Sequence, residues 1–157
     1  MLKIKPVKIT DLESLQFALQ KAIELEHATI PPYLTAYYTL RGTSAGGVAA
    51  RQILRSIVIE EMLHMHLACN ILNAIGGAPV IKGSNFIPNY PGPLPMGIGG
   101  ADGLVVGIKR YSKATVQNTF MEIEEPENPI HIPVKKAALE AVGPSYETIG
   151  EFYTAIG

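Results

Sequence analysis

Glu60-Glu61-Met62-Leu63-His64-Met65-His66-Leu67-Ala68-Cys69-Asn70-Ile71-Leu72-Asn73-Ala74-Ile75-Gly76-Gly77 combines a Glu-x-x-His pair with a helical apolar repeat and a glycine stop. Residues three apart on a helix project from one face, so the Glu61 carboxylate and the His64 imidazole converge on one ion. Dinuclear carboxylate bundles use that pair twice. They combine one Glu from each of two helices with a Glu-x-x-His pair from each of the other two. The chain shows one clear set, Glu26 with Glu61 and His64.

Working outward, Ile53, Ile57, Glu61, His64, Ala68, Ile71 and Ile75 recur at steps of three and four and predict a helix over residues 45–76, closed by Gly76-Gly77 and Pro79. Upstream, Thr10 and Glu13 predict a capping box. Leu12, Leu15, Leu19, Ala22 or Ile23, and Glu26 then form the stripe of a first helix over 10–42. Glu24 falls with Gln16, Gln20 and Lys21 on a face expected to be solvated, and Glu60 is rotated off the second stripe. At 1.5 Å per residue both helices are about 40 to 45 Å long, and the short turn at Arg41-Gly42-Thr43 makes them antiparallel neighbours.

Two carboxylates and an imidazole in phase with core stripes need a cation, since unpaired buried charges cost several kcal/mol each. His66 lies two residues from His64 and points away from it, and His27 is likewise a poor ligand. Tyr33, seven residues after Glu26, is either a hydrogen-bond donor beside the ligands or a core aromatic. Ile30-Pro31-Pro32 predicts a kink that frees the carbonyls of His27 and Ala28. That kink is either a plain bend or an opening of backbone acceptors beside the metal. Carboxylates with an imidazole suit iron, in a di-iron arrangement, or manganese, and zinc also accepts these ligand types.

Composition sets the wider frame. With 157 residues, 47% hydrophobic and 17% charged, the chain is expected to form a single domain over 1–157. A net charge of −1 gives no footprint for nucleic acid or an anionic membrane, so neither is an expected partner. Without a long apolar run or a leader pattern, the expected location is the cytoplasm. The single Cys69 excludes an intramolecular disulfide framework and paired-cysteine zinc sites, and its apolar surroundings predict a buried thiol.

Residues 82–103 are dense in Pro and Gly and read as a long loop, a lid or a crossover. Gly97-Ile98-Gly99-Gly100-Ala101-Asp102-Gly103 fails as a nucleotide fingerprint, because the third glycine is displaced and no strong strand precedes it. Val105 to Ile108 is a brief strand or an extended packing segment. Ser112 starts a shorter helix over 112–124 with Val116, Phe120 and Ile123 on one face. Pro126, Pro129 and Pro133 remove His131 from any helical Glu-x-x-His motif, and a short helix is expected near Lys135 to Val142.

The segments from Glu24 to Leu34 and from Glu60 to Gly77 resemble the ferritin-like domain of the iminophenyl-pyruvate dimer synthases, which act in violacein-type and rebeccamycin-type pathways. The resemblance continues through Phe86–Pro95, Phe120–Pro126 and Tyr146–Tyr153. It implies an all-α, ferritin-like helical bundle, with Glu151 as the single Glu of a third bundle helix beginning at 145–157. Thr148-Ile149-Gly150-Glu151 also fits a capping box at that helix start. Against the family pattern, the rest of the third helix and the fourth helix are missing, so the bundle is expected to be incomplete within one chain. A homodimer or larger homo-oligomer is the expected remedy. The implied function is a non-haem iron oxidoreductase acting on a small molecule, with oxidative coupling of an aromatic imino acid as the family's chemistry. The alternative is a non-catalytic metal-binding or scaffolding module.

Overall fold

The computed structural model describes residues 9–84, 86–97 and 104–124. Its first long helix, α1, spans Leu12–Thr39, and its second, α2, spans Ala45–Ala74. Gln16 meets Ile75, Glu26 meets His64 and Thr29 meets Glu61, so one number falls as the other rises and the helices run antiparallel. The turn between them is tight. A Cβ on Gly42 would lie 2.7 Å from the carbonyl carbon of Gly47, and one on Gly47 would lie 2.6 Å from Cα of Gly42, so both positions need glycine.

The start of α1 differs from the expected Thr10–Glu13 box. Asp11 is the cap: its carboxylate accepts from the Ser14 amide at 2.8 Å, while the Ser14 hydroxyl accepts from the Asp11 amide at 3.1 Å. Serine replaces the usual Glu at the fourth position because its short side chain reaches back without bending. The far end falls at Thr39, three residues before the expected limit of 42, where Leu40 turns to extended backbone. At the end of α2 the Gly77 amide donates to Leu72 O at 2.9 Å and the Gly76 amide to Asn73 O at 3.0 Å. With Gly76 at φ +78°, this is the left-handed Schellman stop expected from the Gly-Gly pair, although α2 itself ends at Ala74 rather than 76.

Gln16 and Gln20, expected to face solvent, instead hold the chain that leaves α2. The Gln20 amide donates to Val80 O and accepts from the Val80 amide, both at 2.9 Å, and Gln16 donates to Ile75 O at 3.1 Å. An extended segment outside a sheet leaves its backbone groups needing partners, and these side chains supply them.

The core lies between the long helices and under the loop. Leu19, Ala22, Ile23, Leu54, Val58, Ala68 and Leu72 form its helical part, and Phe86, Leu94, Leu104 and Val106 close it from the Pro/Gly-rich side. Gly92 and Val106 make one isolated antiparallel bridge, with both hydrogen bonds at 2.9 Å, so Val106 is extended packing rather than part of a longer strand. The α2 stripe is rotated from expectation. Leu54, Val58, Glu61, Ala68 and Leu72 face α1, whereas Ile53 and Ile71 remain 60% and 50% exposed. Apolar residues occupy two adjacent faces of α2, and the periodicity alone does not choose between them.

The third helical segment is an α-turn at Lys113–Thr115, a π-helical turn at Val116–Phe120 and an α-turn at Met121–Ile123, where an uninterrupted helix over 112–124 was expected. The wider π-turn still leaves both Phe120 and Ile123 buried. Among the described residues no helix is long and apolar enough to cross a membrane. The expected helices near 135–142 and 145–157, together with His131 and Glu151, lie outside the described residues.

Candidate metal centre

Glu26 sits mid-way along α1, Glu61 and His64 mid-way along α2, and antiparallel packing brings them level. His64 Nδ1 is 3.4 Å from a Glu26 oxygen and 3.8 Å from a Glu61 oxygen. One ligand atom from each residue lies within 4.8 Å of the others. Both carboxylates are buried, while the His64 side chain is 51% exposed at the rim. The arrangement is a small oxygen-rich cup with one nitrogen, open on the α2 side.

Burial pushes the Glu61 carboxyl up to about 8, opposed by a hydrogen bond from Thr29 and reinforced by the nearby carboxylates of Glu26, Glu124 and Glu60. Several acids crowding one buried position is a poor arrangement for bare charge and a good one for a divalent cation, which relieves every one of those repulsions at once. The donor set therefore fits a metal: two hard oxygen donors and a borderline imidazole.

Thr29 was not foreseen. It lies one turn after Glu26 on the same face, and its hydroxyl is 2.8 Å from the Glu26 carbonyl and in short contact with a Glu61 oxygen. The hydroxyl has one proton to share between these two acceptors, and its donation to Glu61 favours the ionised carboxylate against the effect of burial. Its position three residues after a stripe Glu is the signal the sequence offered.

Tyr33 is fully buried. Its hydroxyl donates to Glu124 at 2.7 Å and its ring packs against Phe120 with centroids 4.5 Å apart. Burial, and then the Glu124 carboxylate, hold the phenol far above its ordinary range and keep it protonated. Tyr33 thus links the third segment to the cup, and Glu124 is a further acid near Glu61 that no helical period connects to it. The π-turn directly precedes this contact, a geometry that recurs beside functional sites.

Pro31 and Pro32 lie inside α1, which continues through them. Pro32 has no N–H for the Ala28 carbonyl four residues back, and the Tyr90 hydroxyl donates to that carbonyl instead. The freed acceptor anchors the loop rather than a ligand. A shallow cavity lined by Glu24, Phe86, Pro88 and Leu94 opens under this loop. Glu24 is two residues from Glu26, about 200° around the helix, so the cavity is separate from the cup.

Of the other candidates, His27 stacks on Phe86 at 4.3 Å, and burial lowers its pKa. His66 turns its Nδ1 to Met62 O at 2.8 Å on the exposed side. Neither joins the cup. Cys69 is half-buried with its thiol pushed up by burial, so it is a poor nucleophile.

A family model described as ferritin-like matches residues 19–157. Among solved structures, the crystal structure of a ferritin-like protein from Caulobacter vibrioides is similar, with 29% sequence identity and a TM-score of 0.68. The match covers 94% of this chain and 51% of that one, so the chain spans about half the length of this relative. No curated protein matches the chain.

Proposed function

The chain belongs to the ferritin-like family, and from that premise we propose that it is an iron-dependent oxidoreductase whose centre is the Glu26, Glu61 and His64 cup. The observation that carries this reading is the convergence of two buried carboxylates and one imidazole within 4.8 Å. Glu26 and Glu61 would hold the iron through their carboxylates, and His64 through Nδ1, the nitrogen that faces both carboxylates. Glu151, outside the described residues, is the further carboxylate this reading assigns, and manganese satisfies the same ligand types.

Iron held here supplies one- and two-electron chemistry with dioxygen or peroxide as oxidant. The chain's own residues prepare the site for it. Thr29 donates a hydrogen bond to ionised Glu61 and fixes the direction of that carboxylate. Tyr33 stays protonated and holds Glu124 beside the cup. The half-exposed His64 marks the side from which a small substrate approaches.

The resemblance to iminophenyl-pyruvate dimer synthases suggests an aromatic imino acid as substrate. Joining two such molecules by a carbon–carbon bond removes two protons and two electrons, which peroxide takes up in forming two waters. The test begins with metal. Protein purified without chelators is expected to carry iron by elemental analysis, and Glu61→Ala and His64→Ala should each lose it while remaining helical by circular dichroism. Full metal content in both variants would remove the basis of this proposal.

A further inference from the structure

The flank of α1 opposite the metal ligands carries a pocket that the metal centre does not use. It holds about 280 Å³ between that flank and the loop, with Phe86, Pro88, Pro93, Leu94 and Pro95 as its apolar walls and Glu24 as its one acid. Small-molecule pockets begin at about 300 Å³, and a dry cavity of about 150 Å³ takes up benzene, so the space suits a single ring with a short tail. The walls come from α1 and the loop of this same chain.

Those walls are held in place by the fold itself. The Tyr90 hydroxyl donates to Ala28 O, Gly92 and Val106 exchange two backbone bonds at 2.9 Å, and Phe86 and Leu94 belong to the buried core. A loop tied down at these points has little freedom left to lose on binding. Prolines and an aromatic ring also present flat, stiff faces, against which the ring of a ligand stacks.

Glu24 sets the charge that such a ligand must carry. Its Oε2 accepts from Lys21 Nζ at 2.6 Å, whereas Oε1 has only the Gln20 amide at 3.4 Å. That amide is already committed to Val80 O at 2.9 Å, so Oε1 keeps capacity for a stronger donor. His27, one turn after Glu24, stacks on Phe86, and burial holds its pKa below the ordinary 6.5. At pH 7 that imidazole is neutral and adds no positive charge to oppose a cation. We propose that this pocket binds a small aromatic amine, its ring against Phe86 and the prolines and its ammonium donating to Glu24 Oε1. Asn89, also in the lining, offers an amide oxygen for a second ammonium proton. A carboxylate in the same place would meet Glu24 as a like charge, and an uncharged ring would leave Oε1 without its donor. The proposal does not depend on the metal reading.

The experiment titrates the full chain with phenethylamine by NMR at pH 7, and uses 3-phenylpropionate as a similar ring bearing the opposite charge. A dissociation constant of about 5 mM or tighter is expected for phenethylamine, in keeping with so few heavy atoms in one small pocket, and phenylpropionate should bind at least about tenfold more weakly. Glu24→Gln keeps the size of the side chain and should weaken amine binding by about tenfold, because a charge-assisted bond becomes a neutral one. Phe86→Leu keeps the core apolar while removing the stacking face, and should weaken binding by about twofold to tenfold. His64→Ala should leave it unchanged. Absence of binding to wild type would overturn the proposal, as would equal affinity for the two probes or an affinity unmoved by Glu24→Gln in a variant that stays helical by circular dichroism. Binding lost in His64→Ala and kept in Glu24→Gln would put the amine at the metal centre and overturn it as well.

Discussion

Removing metal should make this protein less stable as pH rises. Burial, first among the influences on Glu61, lifts its carboxyl from 4.5 to about 8. Between those values the folded chain keeps a proton that the unfolded chain has released. The contribution is therefore fully present below about 4.5 and is lost as pH rises through about 8. At about 1.36 kcal/mol per pH unit, the gap sets a ceiling of about 5 kcal/mol, a large share of the 5 to 15 kcal/mol typical of a domain. Thermal unfolding of chelator-treated protein, followed by circular dichroism at pH 5, 6, 7 and 8, should show Tm falling by roughly 10 °C or more. His27, whose pKa burial lowers, acts in the opposite direction below its ordinary 6.5. The difference between wild type and Glu61→Gln isolates Glu61, because the amide cannot titrate. Metal-loaded protein should instead gain stability with pH, since ionised ligands bind the cation. Superimposable pH profiles for metal-free wild type and Glu61→Gln would refute the argument that burial holds a proton at this site.

Thr29→Val should lower metal affinity by about tenfold to a hundredfold in a competition titration, and Thr29→Ser should restore it, because only the hydroxyl orients Glu61. Tyr90→Phe leaves the Ala28 carbonyl without its donor, and urea unfolding should show a loss of about 1 to 3 kcal/mol. Gly42→Ala drives a methyl into the Gly47 backbone and should cost a similar amount. Reduced, iron-loaded wild type should consume dioxygen faster than Glu26→Ala in an oxygen-electrode assay, and equal rates would favour a binding module.

The helices and the meeting of Glu26 with Glu61 and His64 were legible because Glu26 and Glu61 fall on buried stripes, His64 lies one turn from Glu61, and a short turn dictates antiparallel packing. The depth of each stripe was less so. Ile53 and Ile71 carry the same apolar signal as Leu54 and Leu72, and only contact with α1 distinguishes them. Gln16 and Gln20 misled for a related reason: polar residues were assigned to water, but the backbone at Ile75 and Val80 needed them. Tyr33 was placed on the correct face, while its partner Glu124 is 91 residues distant and shares no repeat with it. Such a contact is fixed by tertiary packing, which periodicity does not encode. The freed Ala28 carbonyl was foreseen from Pro32, but the hydroxyl that takes it comes from Tyr90, across a loop whose path no local rule sets.

The paired bonds between Gln20 and Val80 carry a consequence for substitution at that position. A primary amide offers a donor and an acceptor side by side, so Gln20 imitates the edge of a neighbouring strand for one residue. Glutamate matches it in length and shape yet offers only acceptors at neutral pH, and would face the Val80 carbonyl with like partial charge. Lysine would fail in the opposite sense, offering donors alone. A change of one atom, from nitrogen to oxygen, would thus release the chain that follows α2, while the larger Gln-to-His exchange could keep one bond and lose only the other. At this position the pattern of donors and acceptors, rather than size or polarity, sets which residues are interchangeable.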